Sequence, residues 1–104
     1  MKIALTNIII NAIDAMRSGG GELKLITKSI DANFILLIED NGCGISTENL
    51  KSIFRPYYTN KPGGMGLGLA TTHDILRLNR VRVNVESVEM EGTRFSLMFK
   101  KSFL

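Results

Sequence analysis

Apolar residues recur along this 104-residue chain with two different periods, and the switches between them divide it into elements. Residues 2 to about 17 predict a helix. Leu5, Ile9, Ala12 and Met16 fall on one face at helical spacing, and Asn7, Asn11 and Asp14 fall on the opposite one. Ser18-Gly19-Gly20-Gly21 ends it. From Glu22 to Ile30 the pattern alternates, with Leu23, Leu25 and Thr27 to one side, which predicts a strand. Asp31-Ala32-Asn33 predicts a hairpin turn, and Phe34 to Glu39 a buried second strand. Asp40-Asn41-Gly42-Cys43-Gly44 breaks that strand. Ser46 then stands where it can N-cap a short helix carrying Leu50, Ile53 and Phe54. Arg55 to Gly66 has no periodicity and predicts a long, mobile loop. A helix follows over Leu67 to Leu78. Val81, Val83 and Val85 alternate with Arg82, Asn84 and Glu86 as a strand. A turn comes at Glu91-Gly92, and a last strand runs over Arg94 to Lys100, with Phe95, Leu97 and Phe99 on one side.

The order α, β, β, short α, loop, α, β, β predicts an α+β fold: a two-layer sandwich with helices on one face of a mixed, mostly antiparallel sheet. Length and a 44% hydrophobic content fit one domain over residues 1–104. The net charge of +3 adds little, because no basic run is interleaved with aromatics, so nucleic acid is not expected as a partner. One cysteine and one histidine exclude a disulfide framework and a Cys/His zinc cluster within this chain. The apolar runs are too short to span a bilayer, and Asn7 and Asn11 interrupt any signal-peptide pattern. The expectation is a reducing, cytoplasmic setting for this domain, whether or not a longer parent is anchored in a membrane.

Three places carry candidate chemistry. The stretch Asn60 to Leu69 holds Gly63, Gly64, Gly66 and Gly68 and runs into a helix. Glycines let backbone approach a ligand closely, and a helix N-terminus suits phosphate. The stretch matches neither a Walker A nor a Rossmann pattern, and a plain flexible connector is the alternative. Asn7 and Asn11 lie one turn apart among isoleucines, and a carboxamide oxygen can ligate a hard cation such as Mg²⁺. Asp14, on the same face, could hold a water of that shell; the alternative is an ordinary polar stripe. Asp40, ending an apolar strand, could accept from an exocyclic amine such as that of adenine, with Gly42 and Gly44 letting a flat ring lie against backbone. A simple Asn-Gly turn is the alternative there. Cys43, between those glycines, reads as a packing residue.

Taken in order, Asn-x-x-x-Asn-Ala, Asp-x-Gly-x-Gly, Phe-x-Pro-Tyr and Gly-x-Gly-Leu-Gly-Leu resemble the ATP-binding catalytic domain of sensor histidine kinases. That domain has the Bergerat fold and belongs to the superfamily shared with gyrase, the ninety-kilodalton heat-shock chaperone and mismatch-repair ATPases. The resemblance runs from Ile3 to about Phe99 and implies roles residue by residue. Asn11 matches the ligand of a Mg²⁺ bridging the phosphates of ATP, with Asn7 and Asp14 lining that site. Asp40 matches the acceptor of the adenine amine, with Gly42, Gly44 and Ile45 beside the ring, and Thr93 matches a threonine of the adenine-side network. Phe54 belongs to a phenylalanine box. Arg55 to Met65 resembles an ATP lid in which Thr59 and Lys61 contact nucleotide, and Gly64, Met65, Gly66, Leu67, Gly68 and Leu69 match the second glycine box.

In the ATP-hydrolysing relatives the position of Asn7 is a glutamate that activates water, and a carboxamide is no general base. The resemblance therefore implies phosphoryl transfer to a protein histidine rather than hydrolysis. His73 follows the glycine box and reads as a surface or packing histidine. The implied acceptor lies on a separate dimerisation domain, which then passes the phosphate to a response regulator, and this chain alone is expected to be inactive. A nucleotide-binding module without transfer activity is the alternative. Two departures stand out. Asn79-Arg80-Val81 replaces a His-Gly-Gly turn, and the family's usual upstream strand, helix and strand do not precede Asn7. The sheet is therefore expected to expose an edge that favours weak self-association.

Overall fold

A computed structural model describes residues 1–16, 20–55 and 68–103. The helix α1 spans Lys2–Ala15, and the hairpin β1 (Leu23–Ile30) and β2 (Asn33–Asp40) follows. Next come α2 (Thr47–Leu50), α3 (Gly68–Leu78), β3 (Arg82–Val88), β4 (Gly92–Lys100) and a 3-10 turn at Lys101–Phe103. The four strands form one sheet in the order β1-β2-β4-β3, and every neighbouring pair is antiparallel. β2 and β4 begin one and two residues earlier than their alternation predicts, and β1 and β3 one residue later. Antiparallel pairing reaches to the ends of the turns, so that Ile30 faces Asn33 and Val88 faces Gly92.

Both long helices lie on one face of the sheet, α1 over β2 and α3 over β3. Ala4 and Ile8 of α1 and Leu76 of α3 meet Ile38, Val81, Phe95 and Leu97 in the core. The buried stripe of α1 is Ala4, Ile8 and Ala12, one position away from the expected Leu5, Ile9 and Met16, which are half-buried. Small residues at Ala4 and Ala12 let α1 approach both the sheet and α3, and packing overrides the bulkier stripe. Asn7 and Asn11 consequently lie beside the buried stripe and are half-buried, not opposite to it. Leu25 is likewise 56% exposed, because the edge strand β1 is not covered by the described helices.

The turn built by Asn79-Arg80-Val81 closes α3 in a Schellman arrangement. The Val81 N–H donates to the Leu76 carbonyl (2.9 Å), the Arg80 N–H donates to that of Arg77 (3.1 Å), and Arg80 takes φ 58°. Ser46 caps α2 as its type predicts, its hydroxyl accepting from the Asn49 N–H at 3.1 Å. Among the described residues no helix is long and apolar enough to cross a membrane.

Candidate functional site

One helix carries contacts to both of the glycine-containing segments. Near its start, the Asn7 side-chain amide donates to the carbonyl of Gly68, the first residue of α3, at 3.0 Å. That carbonyl also accepts from the hydroxyl of fully buried Thr72 at 2.9 Å. One turn along α1, the Asn11 amide donates to the Asn7 carbonyl at 2.8 Å. At the end of α1, the Ala15 carbonyl accepts from the Cys43 N–H at 3.1 Å. A Cβ on Gly42 would stand 2.6 Å from that same carbonyl oxygen, so the loop after β2 touches α1 only because Gly42 lacks a side chain. From Asn7 to Ala15 the helix advances about 12 Å at 1.5 Å per residue. That length is of the order of a nucleotide from its base to its outer phosphates.

The side-chain amides of Asn7 and Asn11 each donate to a backbone carbonyl. Among the described residues neither carboxamide oxygen has a partner, so each is left to accept or to ligate. Oxygen donors of this kind suit a hard cation that keeps most of its shell as phosphate and water. Among the described residues no group of three or more His, Cys, Asp or Glu side chains could hold a metal. Asp14 is exposed on the next turn of α1.

Asp40 ends β2, in register with Thr93 of β4. Its Oδ1 accepts from the Gly42 N–H at 2.9 Å. Burial raises the Asp40 carboxyl above its usual range, against the lowering effect of backbone N–H groups at Gly42 and Thr93. Behind it is a hydroxyl network. The Ser87 hydroxyl accepts from the Ile45 N–H (2.7 Å) and donates to the Gly92 carbonyl (2.8 Å), which leaves the buried Thr93 hydroxyl to donate to Ser87 (2.8 Å). Gly44, at φ 71°, backs onto the Val88 carbonyl, and Gly92, at φ 137°, onto that of Asp40, with no room for a Cβ at either. The glycines of this loop therefore close backbone against backbone.

Residue patterning alone missed Ser87. The available signal was its phase: Ser87 continues the inward series Val81, Val83, Val85, where a hydroxyl must find a partner. Ile45 and Leu69 pack against the core, as does Phe54, whose ring stacks on His73 with centroids 4.9 Å apart and meets Phe95 edge-on. His73 is thus a packing residue of α3 here. Thr59, Lys61, Gly64, Met65, Gly66 and Leu67, with the expected lid beyond Arg55, lie outside the described residues. A cavity of about 310 Å³ beside Asp40 and Thr93 also carries Glu39, Glu86 and Glu91 against the single cation Arg94. That charge would repel phosphates on this side of Asp40.

The family model for the histidine kinase-, DNA gyrase B- and HSP90-like ATPases matches residues 1–102. The chain belongs to this family. Within it, the chain is 38% identical over 99 residues to the signal transduction histidine-protein kinase AtoS of Escherichia coli K12, covering 94% of this chain. It is 36% identical over 98 residues to sporulation kinase E of Bacillus subtilis, covering 93%. The chain spans only 16% and 13% of the length of those two relatives. The catalytic domain of the histidine kinase ThkA superposes with a TM-score of 0.79 at 27% identity, covering 94% of this chain and 64% of that one. A mycobacterial sensor histidine kinase, MprB, shares the fold at a TM-score of 0.83 and 22% identity, covering 94% and 70%. The four-stranded antiparallel sheet and its helices are those of a histidine kinase catalytic domain.

Proposed function

We propose that residues 1–104 form the ATP-binding catalytic domain of a two-component sensor histidine kinase. It would transfer the γ-phosphoryl group of ATP to a histidine on a separate dimerisation domain, from which a response regulator receives it. What supports this reading is that α1 touches the described parts of both glycine boxes, Gly68 at Asn7 and the Asp40 loop at Ala15, with Asn11 between them. Asp40 would accept from the adenine amine through the oxygen that Gly42 leaves open, and Thr93 and Ser87 hold that wall in place. Asn11, with Asn7 beside it, presents oxygen to a Mg²⁺ on the phosphates. When bound, that ion neutralises charge on the transferring group.

Asn7 supports transfer over hydrolysis. Its amide is committed to Gly68, and a carboxamide cannot take a proton from water. In transfer, the acceptor imidazole nitrogen bonds to the γ-phosphorus as the bond to the β,γ-bridging oxygen breaks, and ADP leaves. Thr59, Lys61 and Gly64 to Leu67 belong to this proposal on their sequence match alone. The test is to mix the chain with a separately purified histidine kinase dimerisation domain and γ-labelled ATP. Label should appear on the partner as acid-labile, base-stable phosphohistidine. Intact nucleotide binding with no phosphohistidine on any cognate partner would contradict the transfer reading.

A further inference from the structure

The face of the sheet turned away from the helices is amphipathic in a way the nucleotide site does not use. One rung crosses all four strands there: Lys28 pairs with Ile35, Ile35 with Met98, and Met98 with Arg82. The two central positions are half-buried and apolar, and the two outer ones are exposed cations. Leu37 extends the apolar floor on the next rung. Two cavities of about 520 and 530 Å³ meet at Arg82 and Met98, the second adding Lys100 and the end of α3 with Arg77, which pairs with Asp74 at 3.7 Å. No described carboxylate lines either cavity. The acids of this face are confined to the other end of the sheet, where Glu39 and Glu86 flank Arg94 at 2.7 and 3.9 Å.

We propose that this face docks a polypeptide segment of a partner protein, its apolar side chains lying along Ile35 and Met98 and its carboxylates meeting Lys28 and Arg82. Charge complementarity and shape select this occupant. A second copy of the chain would bring the same cations against these. A bilayer would touch the exposed cations and leave the half-buried floor between them uncovered, and nucleic acid would find no aromatic ring on the rung for base stacking. An apolar floor between basic rims suits an acidic amphipathic segment, with burial supplying affinity and rim charges supplying register. The surface lies apart from the Asp40 and Asn11 side of the molecule, and its readout needs no nucleotide.

The test is titration of the methyl-labelled chain with a short peptide alternating leucine and glutamate. Its controls are a leucine–lysine peptide and vesicles of phosphatidylcholine with phosphatidylserine. Saturable shifts are expected at the methyls of Ile35, Leu37 and Met98 but not at Ile3 or Ile10 of α1. The double variant Lys28→Glu/Arg82→Glu should bind about tenfold more weakly, and Lys28→Gln/Arg82→Gln should fall between. Unchanged α1 methyl positions would show that both variants are folded. Shifts confined to other surfaces, equal binding by the basic peptide, or no loss in either variant would overturn the proposal. So would vesicles perturbing the same methyls while the acidic peptide does not, since that would make the face a membrane surface.

Discussion

The side-chain amide of Asn7 donates to the backbone carbonyl of Gly68 across 61 positions of sequence, at 3.0 Å. It joins the second turn of α1 to the first residue of α3. Removing it in Asn7→Ala should cost about 0.5–1.5 kcal/mol, as for a partly solvated neutral hydrogen bond. Each kcal/mol should appear as a fall of about 4–8 °C in melting temperature for a domain of this size. Asn7→Asp should lose at least as much, because an ionised carboxylate has no proton to give Gly68. By supplying a carboxylate base where the carboxamide is none, it should also raise the release of free phosphate from ATP, and a rate no higher than the parent's would count against the role assigned to this residue.

Asp40 should show opposite effects on stability and binding. Its raised carboxyl pKa means that the charged form disfavours the fold. The contribution is favourable and complete below the unfolded value of 3.8, and it is lost as pH rises through the higher folded value. Asp40→Asn should therefore melt higher than the parent at neutral pH without nucleotide, and the difference should vanish below that unfolded value. The same change should abolish adenine recognition. With the amide oxygen kept by Gly42, the NH₂ group would face another donor. A melting series across pH, paired with an ATP titration, checks both signs.

Ser87→Ala should leave the Ile45 N–H and the buried Thr93 hydroxyl without their shared partner. A loss of about 1–3 kcal/mol is expected, as for a buried polar group left unsatisfied. ATP affinity should fall with it, since the Thr93 wall stands in register with Asp40. Chemical denaturation and calorimetry on the same variant separate the two effects.

Much of this was legible in the sequence because it rests on period and on turn chemistry. The alternation of Val81 to Val85 and of Phe95 to Phe99, the cap at Ser46 and the break after Asp40 are local signals, and each stands in the structure. The buried stripe of α1 was not legible. Leu5, Ile9 and Met16 make the bulkier stripe, whereas two helices and a sheet select the side with small Ala4 and Ala12. The packing of Gly42 against α1 is not legible in the sequence either. Its missing Cβ makes room for the carbonyl of Ala15, a contact set by tertiary packing. Gly42→Ala should accordingly push the loop off α1 and cost about 1–3 kcal/mol, measured by denaturation.

Exposed Ile3, Ile10 and Ile13 on α1, with Leu25 on β1, leave apolar surface uncovered by the described residues. Weak self-association is the expected consequence. Sedimentation at rising concentration should show a reversible shift toward dimer that Ile10→Lys reduces. A monomer at every concentration would count against it.

The central claim is that Asn11 and Asp40 serve two ends of one nucleotide. Calorimetric titration of the chain with ATP, with and without Mg²⁺, in the parent, Asn11→Ala and Asp40→Asn tests it most directly. The parent should bind ATP more tightly with Mg²⁺, Asn11→Ala should retain binding but lose the Mg²⁺ enhancement, and Asp40→Asn should lose binding in both conditions. Binding that is indifferent to both substitutions, or absent from a folded parent, would contradict the account.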